Sequence, residues 1–171
     1  PYRQLGVRLW GEGAYERDVI DGGDTKYAQL NTVRADDLVV NKIWARNGSV
    51  AVVPTSLDGC MVSGEFPAFE CKPDRLDPVW MRWITRCSWF WTACDKRAQG
   101  TSGKNRIKPE QFLSVTIPLP PLAEQRRIVA RLDALAAKIE EARGLRAGAT
   151  AETALARVAI LKECFRTAQD G

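Results

Sequence analysis

Asp58, Glu70 and Lys72 are the residues in this sequence best placed for metal chemistry. An aspartate followed by Glu-x-Lys on a strand lets two carboxylates hold Mg²⁺ while the lysine positions or activates a water, as a metal-dependent nuclease requires. The spacing is loose, Pro73 follows at once, and an ordinary strand with surface charges carries the same residues. Other centres are excluded outright. The 171 residues include no histidine, which removes a Ser-His-Asp or Cys-His centre, His-ligated zinc and histidine acid–base catalysis from this chain. Five cysteines (Cys60, Cys71, Cys87, Cys94 and Cys164) form no CxxC pair. They read as small apolar residues in a reducing cytoplasm, with Cys71 or Cys94 the candidate for a reactive thiol. Gly100-Thr101-Ser102-Gly103-Lys104 is not a phosphate loop, because too few residues separate its glycines and Asn105 follows the lysine. Gly11-x-Gly13 has Glu16 where a dinucleotide fingerprint needs its third glycine.

Binding chemistry is written more clearly than catalysis. Residues 82–108 carry seven basic residues against Asp95 alone, whereas residues 1–81 are net −3, within an overall charge of +4. The basic stretch also holds Trp83, Trp89, Phe90 and Trp91. Cations among aromatics suit a polyanion, since neutralising phosphates releases counterions. A half-buried helix with a solvated basic face accounts for the same pattern.

The elements that must position these residues form an α+β sequence. Residues 1–35 are glycine-rich and polar, so short strands and loops are expected. Leu38-Val39-Val40 and Val50 to Val53 read as strands around a turn at Asn47-Gly48. Residues 60–63 and 66–71 suggest two more strands. Asp77-Pro78 opens a helix, with Asp77 as N-cap, whose apolar residues recur at helical spacing to Phe90 or Trp91. An exposed basic loop follows at 99–106, then a short helix from Lys108 and a strand at Val115-Thr116-Ile117. Pro118-Leu119-Pro120-Pro121 marks a domain boundary, dividing residues 1–121 from 122–171. Beyond it Ile128, Leu132, Leu135, Ile139 and Ala142 form an a/d seam. Gly144 and Gly148 predict a break before a second amphipathic helix bearing Ala154, Val158, Leu161 and Phe165. Such stripes need a partner: the first domain, each other or another chain.

With 45% apolar residues, the chain has the composition of a folded protein. No apolar run approaches the roughly 18–20 residues of a membrane span, and the start does not read as a signal peptide, so a cytoplasmic protein without membrane contact is expected. Pro1 rather than Met stands first, so a processed chain or a piece of a longer one is expected.

The segment Ile117-Pro118-Leu119-Pro120-Pro121-Leu122-Ala123-Glu124-Gln125-Arg126-Arg127-Ile128-Val129 resembles the junction in the DNA specificity subunits of type I restriction–modification systems, where a target-recognition domain runs into a long helix. Asp36-Asp37-Leu38-Val39 resembles the family's GDLV strand, with Asp36 in place of the usual glycine. Val62 to Phe69 resembles its VSxEFPxF stretch, and Gly100-Thr101-Ser102 through Arg106-Ile107 its GTxxxRI loop, so the likeness runs from about residue 5 to 145 in order.

The resemblance implies a non-catalytic subunit: a mixed α/β target-recognition domain reading double-stranded DNA, followed by long helices forming a coiled-coil-like spacer or dimerisation element. Family subunits read a split site with two such domains, so this chain corresponds to half of one, paired as a homodimer or with a second half-subunit. The partners implied are a methyltransferase subunit, which methylates adenine using S-adenosylmethionine, and a nuclease subunit that can add restriction. S-adenosylmethionine and Mg²⁺ are expected in those partners, and no cofactor or metal in this chain. The candidate DNA-binding residues are Lys42, Arg46, Asn47, Ser49, Lys96, Arg97, Thr101, Ser102, Lys104, Asn105 and Arg106. Arg and Lys can match guanine and Asn adenine at two groups of one base edge, while half or more of the contacts go to the backbone. Ile128, Leu132, Leu135, Ile139, Val158 and Leu161 are the candidate partner-helix residues. A stand-alone nuclease and a purely structural helical assembly module are the alternatives.

Overall fold

The computed structural model describes residues 1–21, 23, 27, 29–98 and 106–167, with side chains as far as residue 162. The chain divides into two compact units, Pro1–Val129 and Ala130–Gly171. In the first, β1 (Tyr2–Val7) and β2 (Ala14–Ile20) form an antiparallel hairpin. Strand β3 (Leu30–Thr32) pairs with β6 (Met61–Ser63), which runs parallel to β1, giving the order β2-β1-β6-β3. A second sheet places β4 (Leu38–Val40) between β5 (Val50–Val52) and β7 (Ala68–Phe69), all antiparallel. Helices α1 (Pro78–Ile84), α2 (Ser88–Arg97) and α3 (Pro109–Leu113) follow, and then α4 (Leu122–Thr167). The α+β class expected from the sequence is the class observed.

Strand β4 is buried on both faces, which its unbroken Leu-Val-Val run requires. Successive side chains point to opposite sides. Leu38 and Val40 join Val50, Met81, Ile84, Phe90 and Phe112, while Val39 joins Leu5, Val7, Ala51, Val53 and Val62. Asp36, just before this strand, has φ 69, the left-handed region where glycine is easiest, and its N–H donates to the Val53 carbonyl.

Three local expectations are corrected. The helix predicted from Asp77 to Trp91 is two helices. Asp77 does cap α1, its Oδ1 accepting from Val79 N–H at 2.9 Å. The helix then stops at Thr85, whose carbonyl accepts the Trp91 indole N–H at 2.7 Å, and Cys87 leads into α2. Of residues 66–71 only Ala68 and Phe69 form a strand, with the Pro67 carbonyl accepting from the Val40 N–H just before it. Val115 to Ile117 is not a strand: Val115 and Ile117 pack on the core, but the prolines beyond lack N–H groups for a ladder. The Trp80 indole N–H instead donates to the Pro118 carbonyl at 3.1 Å.

The largest correction concerns the end of the chain. Helix α4 is one uninterrupted element of 46 residues, where a break and two helices were expected. Gly144 and Gly148 weaken a helix by about 1 kcal/mol each but keep their N–H groups, so they need not end it. Hydroxyls bridge this stretch, Thr150 Oγ1 donating to the Arg146 carbonyl and Thr153 Oγ1 to the Ala149 carbonyl. Among the described residues there is no second long helix with which an antiparallel pair can form.

The start of α4 belongs to the first unit. Gln125 is fully buried. Its Oε1 accepts from Asp77 N–H at 2.9 Å, and its Nε2 donates to the carbonyls of Arg75 (2.8 Å) and Pro120 (2.7 Å). Arg126 lies 3.3 Å from the same Asp77 that caps α1, and Val129 is buried one turn beyond Gln125. The proline-rich junction is thus fastened by one glutamine whose amide group is fully used.

Candidate nucleic-acid interface

The basic residues singled out from the sequence separate into groups with different surroundings. Between β4 and β5 the chain makes a 3₁₀ turn, Ala45–Asn47. The Asn41 carboxamide accepts from the N–H groups of Ile43 and Trp44, and Gly48 reverses the chain at φ 76. Any Cβ on Gly48 would lie 2.6 Å from the Trp91 ring. This turn holds Arg46 and Asn47 half-buried at the surface, with the Arg46 guanidinium 5.9 Å from the Trp44 ring centroid. Ser49 is a correction. It is fully buried and its hydroxyl donates to the Val7 carbonyl at 2.9 Å, so it joins β5 to β1 and cannot reach a base edge.

Lys42 and Arg106 converge on one carboxylate. Glu65 Oε1 lies 3.1 Å from Arg106 Nη1 and 3.8 Å from Lys42 Nζ. Backbone bonds build this cluster: Lys42 N–H donates to the Glu65 carbonyl, and Ile107 N–H to the Lys42 carbonyl. Glu65 Oε2 is buried without a partner among the described residues. Part of the positive charge in this cluster is therefore neutralised inside the protein.

Lys96 and Arg97 are exposed in the last turn of α2, where cations also favour the helix dipole. Arg97 Nη1 donates to Ser114 Oγ at 2.8 Å. Thr101, Ser102, Lys104 and Asn105 lie outside the described residues.

Sequence reasoning missed a third cluster, at the tip of the β1–β2 hairpin. The N–H of Trp10 donates to the Asn47 carbonyl and that of Gly11 to the Gly48 carbonyl, which docks this tip on the turn carrying Arg46. A Cβ on Gly11 would meet the Arg86 backbone at 2.7 Å, so Arg86 abuts the same tip. Arg8 and Arg86 are exposed and sit over the Tyr15 and Trp83 rings. The available signal was Leu9-Trp10-Gly11-Glu12-Gly13, an apolar pair inside a glycine turn between two strands.

The metal-site candidates do not assemble. Asp58 Oδ1 accepts the Ala35 N–H at 2.8 Å. Glu70 and Lys72 line an apolar hollow with Leu38, Phe69, Leu76 and Leu113, and Asp58 does not line it. Among the described residues no cluster of three or more metal-binding side chains occurs. Burial pushes the Cys71 thiol up to about 11 and the Cys94 thiol up to about 12, so neither is an activated nucleophile at neutral pH.

On α4, Ile128 and Leu132 are half-buried, while Leu135, Ile139, Val158 and Leu161 are each half-exposed or more. Because α4 is continuous, its two predicted apolar stripes are related by helical geometry alone. At about 100° per residue, the stripe through Val158 and Leu161 is rotated roughly a quarter turn from that through Leu135 and Ile139. No helix among the described residues is long and apolar enough to cross a membrane.

Comparison with protein families matches residues 13–147 to the type I restriction modification DNA specificity domain. Among solved structures the chain is similar to the HsdS subunit from Thermoanaerobacter tengcongensis, with TM-score 0.71, 25% identity, 88% of this chain and 38% of that chain covered. It is also similar to a chain from a structural study of complex assembly and conformational transition of the type I R-M system. There the TM-score is 0.62, the identity 25%, and the coverage 90% of this chain and 41% of that one. The chain thus spans about two fifths of the length of the solved structures it matches. No curated protein matches.

Proposed function

Because the chain belongs to the type I restriction modification DNA specificity domain family, we propose that it recognises one half of a bipartite DNA site for an adenine-N6 methyltransferase complex. The observation that carries this reading is the family match over residues 13–147, and the clustering of exposed cations on the first unit supports it. In this reading the first unit contacts DNA. Arg46, Asn47, Lys96 and Arg97 are its proposed contacts within the described residues, and Thr101, Ser102, Lys104 and Asn105 join them from the basic loop. Lys42 and Arg106 meet phosphate when DNA draws them from Glu65.

The chain acts without catalysis of its own. A methyltransferase subunit supplies the chemistry with S-adenosylmethionine, and Mg²⁺ belongs to a restriction subunit where one is present. The exposed stripes of α4 join a second copy, a second half-subunit or the methyltransferase, in the cytoplasm. An assembly role for α4 and DNA recognition by the first unit are parts of one reading.

The test is the chain with its methyltransferase partner on a library of randomised duplexes. A defined protected sequence is expected, with affinity falling by about one decade per decade of salt for each phosphate contacted. Lys104→Ala and Arg46→Ala each lower that salt slope by about one. Failure to protect any sequence overturns the reading. Sequencing the modified adenines of the host with and without the gene identifies the bipartite site directly.

A further inference from the structure

The hairpin tip around Trp10 has a construction that neither hydrophobic burial nor sheet geometry demands. Trp10 is 57% exposed and Leu9 beside it 36%. Trp10 also adopts φ 59, a left-handed conformation that is unfavourable for a bulky side chain. Strain of this kind persists only where the surroundings enforce it, and here they do. The backbone N–H groups of Trp10 and Gly11 are held by Asn47 and Gly48, and Gly11 is pressed against the Arg86 backbone. One edge of the indole rests against Trp91, with the ring centroids 5.9 Å apart. The ring is therefore braced from behind and presented outward. Arg8 leads from β1 into this tip, and the turn carrying Arg46 and the backbone of Arg86 lie against it. The three guanidinium groups sit over the Tyr15, Trp44 and Trp83 rings, with Glu12 the acidic residue of the same loop.

We propose that Leu9 and Trp10 form an apolar wedge that inserts between stacked bases of the bound duplex, with Arg8, Arg46 and Arg86 holding the phosphates on either side. The proposal rests on the DNA-recognition reading and adds how the duplex is deformed. A braced apolar side chain unstacks a base step and kinks the helix, and the accompanying cations suit a phosphate backbone rather than an apolar protein surface. Recognition then includes the deformability of a base step as well as the edges read by polar side chains.

The test compares the full chain with its Trp10→Gly and Trp10→Phe variants, each together with the methyltransferase partner, on a pool of duplexes randomised at the centre and labelled at both ends. Trp10→Gly keeps the positive φ without strain, so the fold should be as stable as the parent or more so. Its affinity should nevertheless fall about tenfold or more, with the salt slope unchanged, because a stacking contact and not an ion pair is lost. Energy transfer between the duplex ends should return to the value of free, straight DNA. Trp10→Phe should retain most of the affinity and the bend. The proposal is overturned if the parent binds with its salt slope but Trp10→Gly matches it in affinity and in end-to-end transfer. It is overturned equally if Trp10→Gly leaves DNA binding intact and abolishes capture of the methyltransferase, since the tip would then be a protein contact. If the parent binds no duplex at low salt, the DNA reading itself falls and the wedge with it.

Discussion

Helix α4 is built in two different ways along its length. At its root, Gln125 is fully buried and makes three hydrogen bonds to backbone groups, and Val129 is buried. Beyond Val129, the large apolar side chains Leu135, Ile139, Leu155, Val158 and Leu161 are each at least half exposed. The root is specified by polar geometry inside its own domain. The continuation carries apolar surface that nothing described in this chain covers. A helix of 46 residues thus combines a buried polar anchor at its root with an exposed apolar surface along its continuation.

The substitution that strikes the anchor hardest is Gln125→Ala. It leaves the Asp77 N–H and the carbonyls of Arg75 and Pro120 without partners in a buried site, and a buried unsatisfied group costs about 1–3 kcal/mol. A loss of about 3 kcal/mol is expected, read as a lower urea midpoint of the first unit's tryptophan signal. An unfolding free energy within about 0.5 kcal/mol of the parent's would mean that the root is no better anchored than the continuation. Leu135→Asp probes the other end of the comparison. The first unit's urea midpoint should stay unchanged, while light scattering should show a smaller assembly or methyltransferase capture should be lost. Unchanged mass together with intact capture breaks the contrast from that side.

Gly144→Ala and Gly148→Ala act on the continuation with a smaller and opposite sign. Both glycines sit within one helix with open space where a Cβ would go. Each alanine should stabilise α4 by about 1 kcal/mol, seen as higher retained ellipticity on heating. If Gly144 were instead a helix end in solution, as its sequence context suggested, alanine there would destabilise.

This contrast also explains what the sequence disclosed. The apolar run of β4, the turn at Asn47-Gly48, the Asp77 cap and the composition change after Pro121 are local signals, and each marks a real feature. The junction phrase pointed to a boundary but not to its fastening, because Gln125 bonds to Asp77 and Arg75 from 48 and 50 residues away. The stop between α1 and α2 depends on an indole N–H reaching back to Thr85, and the helical period of the apolar residues runs across it unbroken. Ser49 looked like an exposed turn residue, yet its hydroxyl is spent on Val7, 42 positions earlier. The Trp10 cluster escaped notice because two of its three arginines, Arg46 and Arg86, come from distant segments and its key feature is a backbone angle. Polar types were legible; their long-range partners were not.

The smallest effect lies at the root itself and separates surface charge from buried geometry. A hydrogen bond from the Arg127 guanidinium holds the Glu124 carboxyl below its ordinary range and raises the Arg127 guanidinium in turn. For a carboxylate whose folded-state value is depressed, the stabilisation is present above the unfolded value of about 4.3 and is lost as pH falls through the folded value. Both groups are exposed in the pair's geometry, at 67% and 40% of their side-chain surface, so solvent screening leaves little of it at neutral pH. Arg127→Ala should therefore move the Glu124 carboxyl resonance upward in a pH titration and leave the urea midpoint at neutral pH essentially where it was. Were Arg127→Ala to cost as much as Gln125→Ala, the anchoring of α4 would have to be credited to its surface charges rather than to the buried amide.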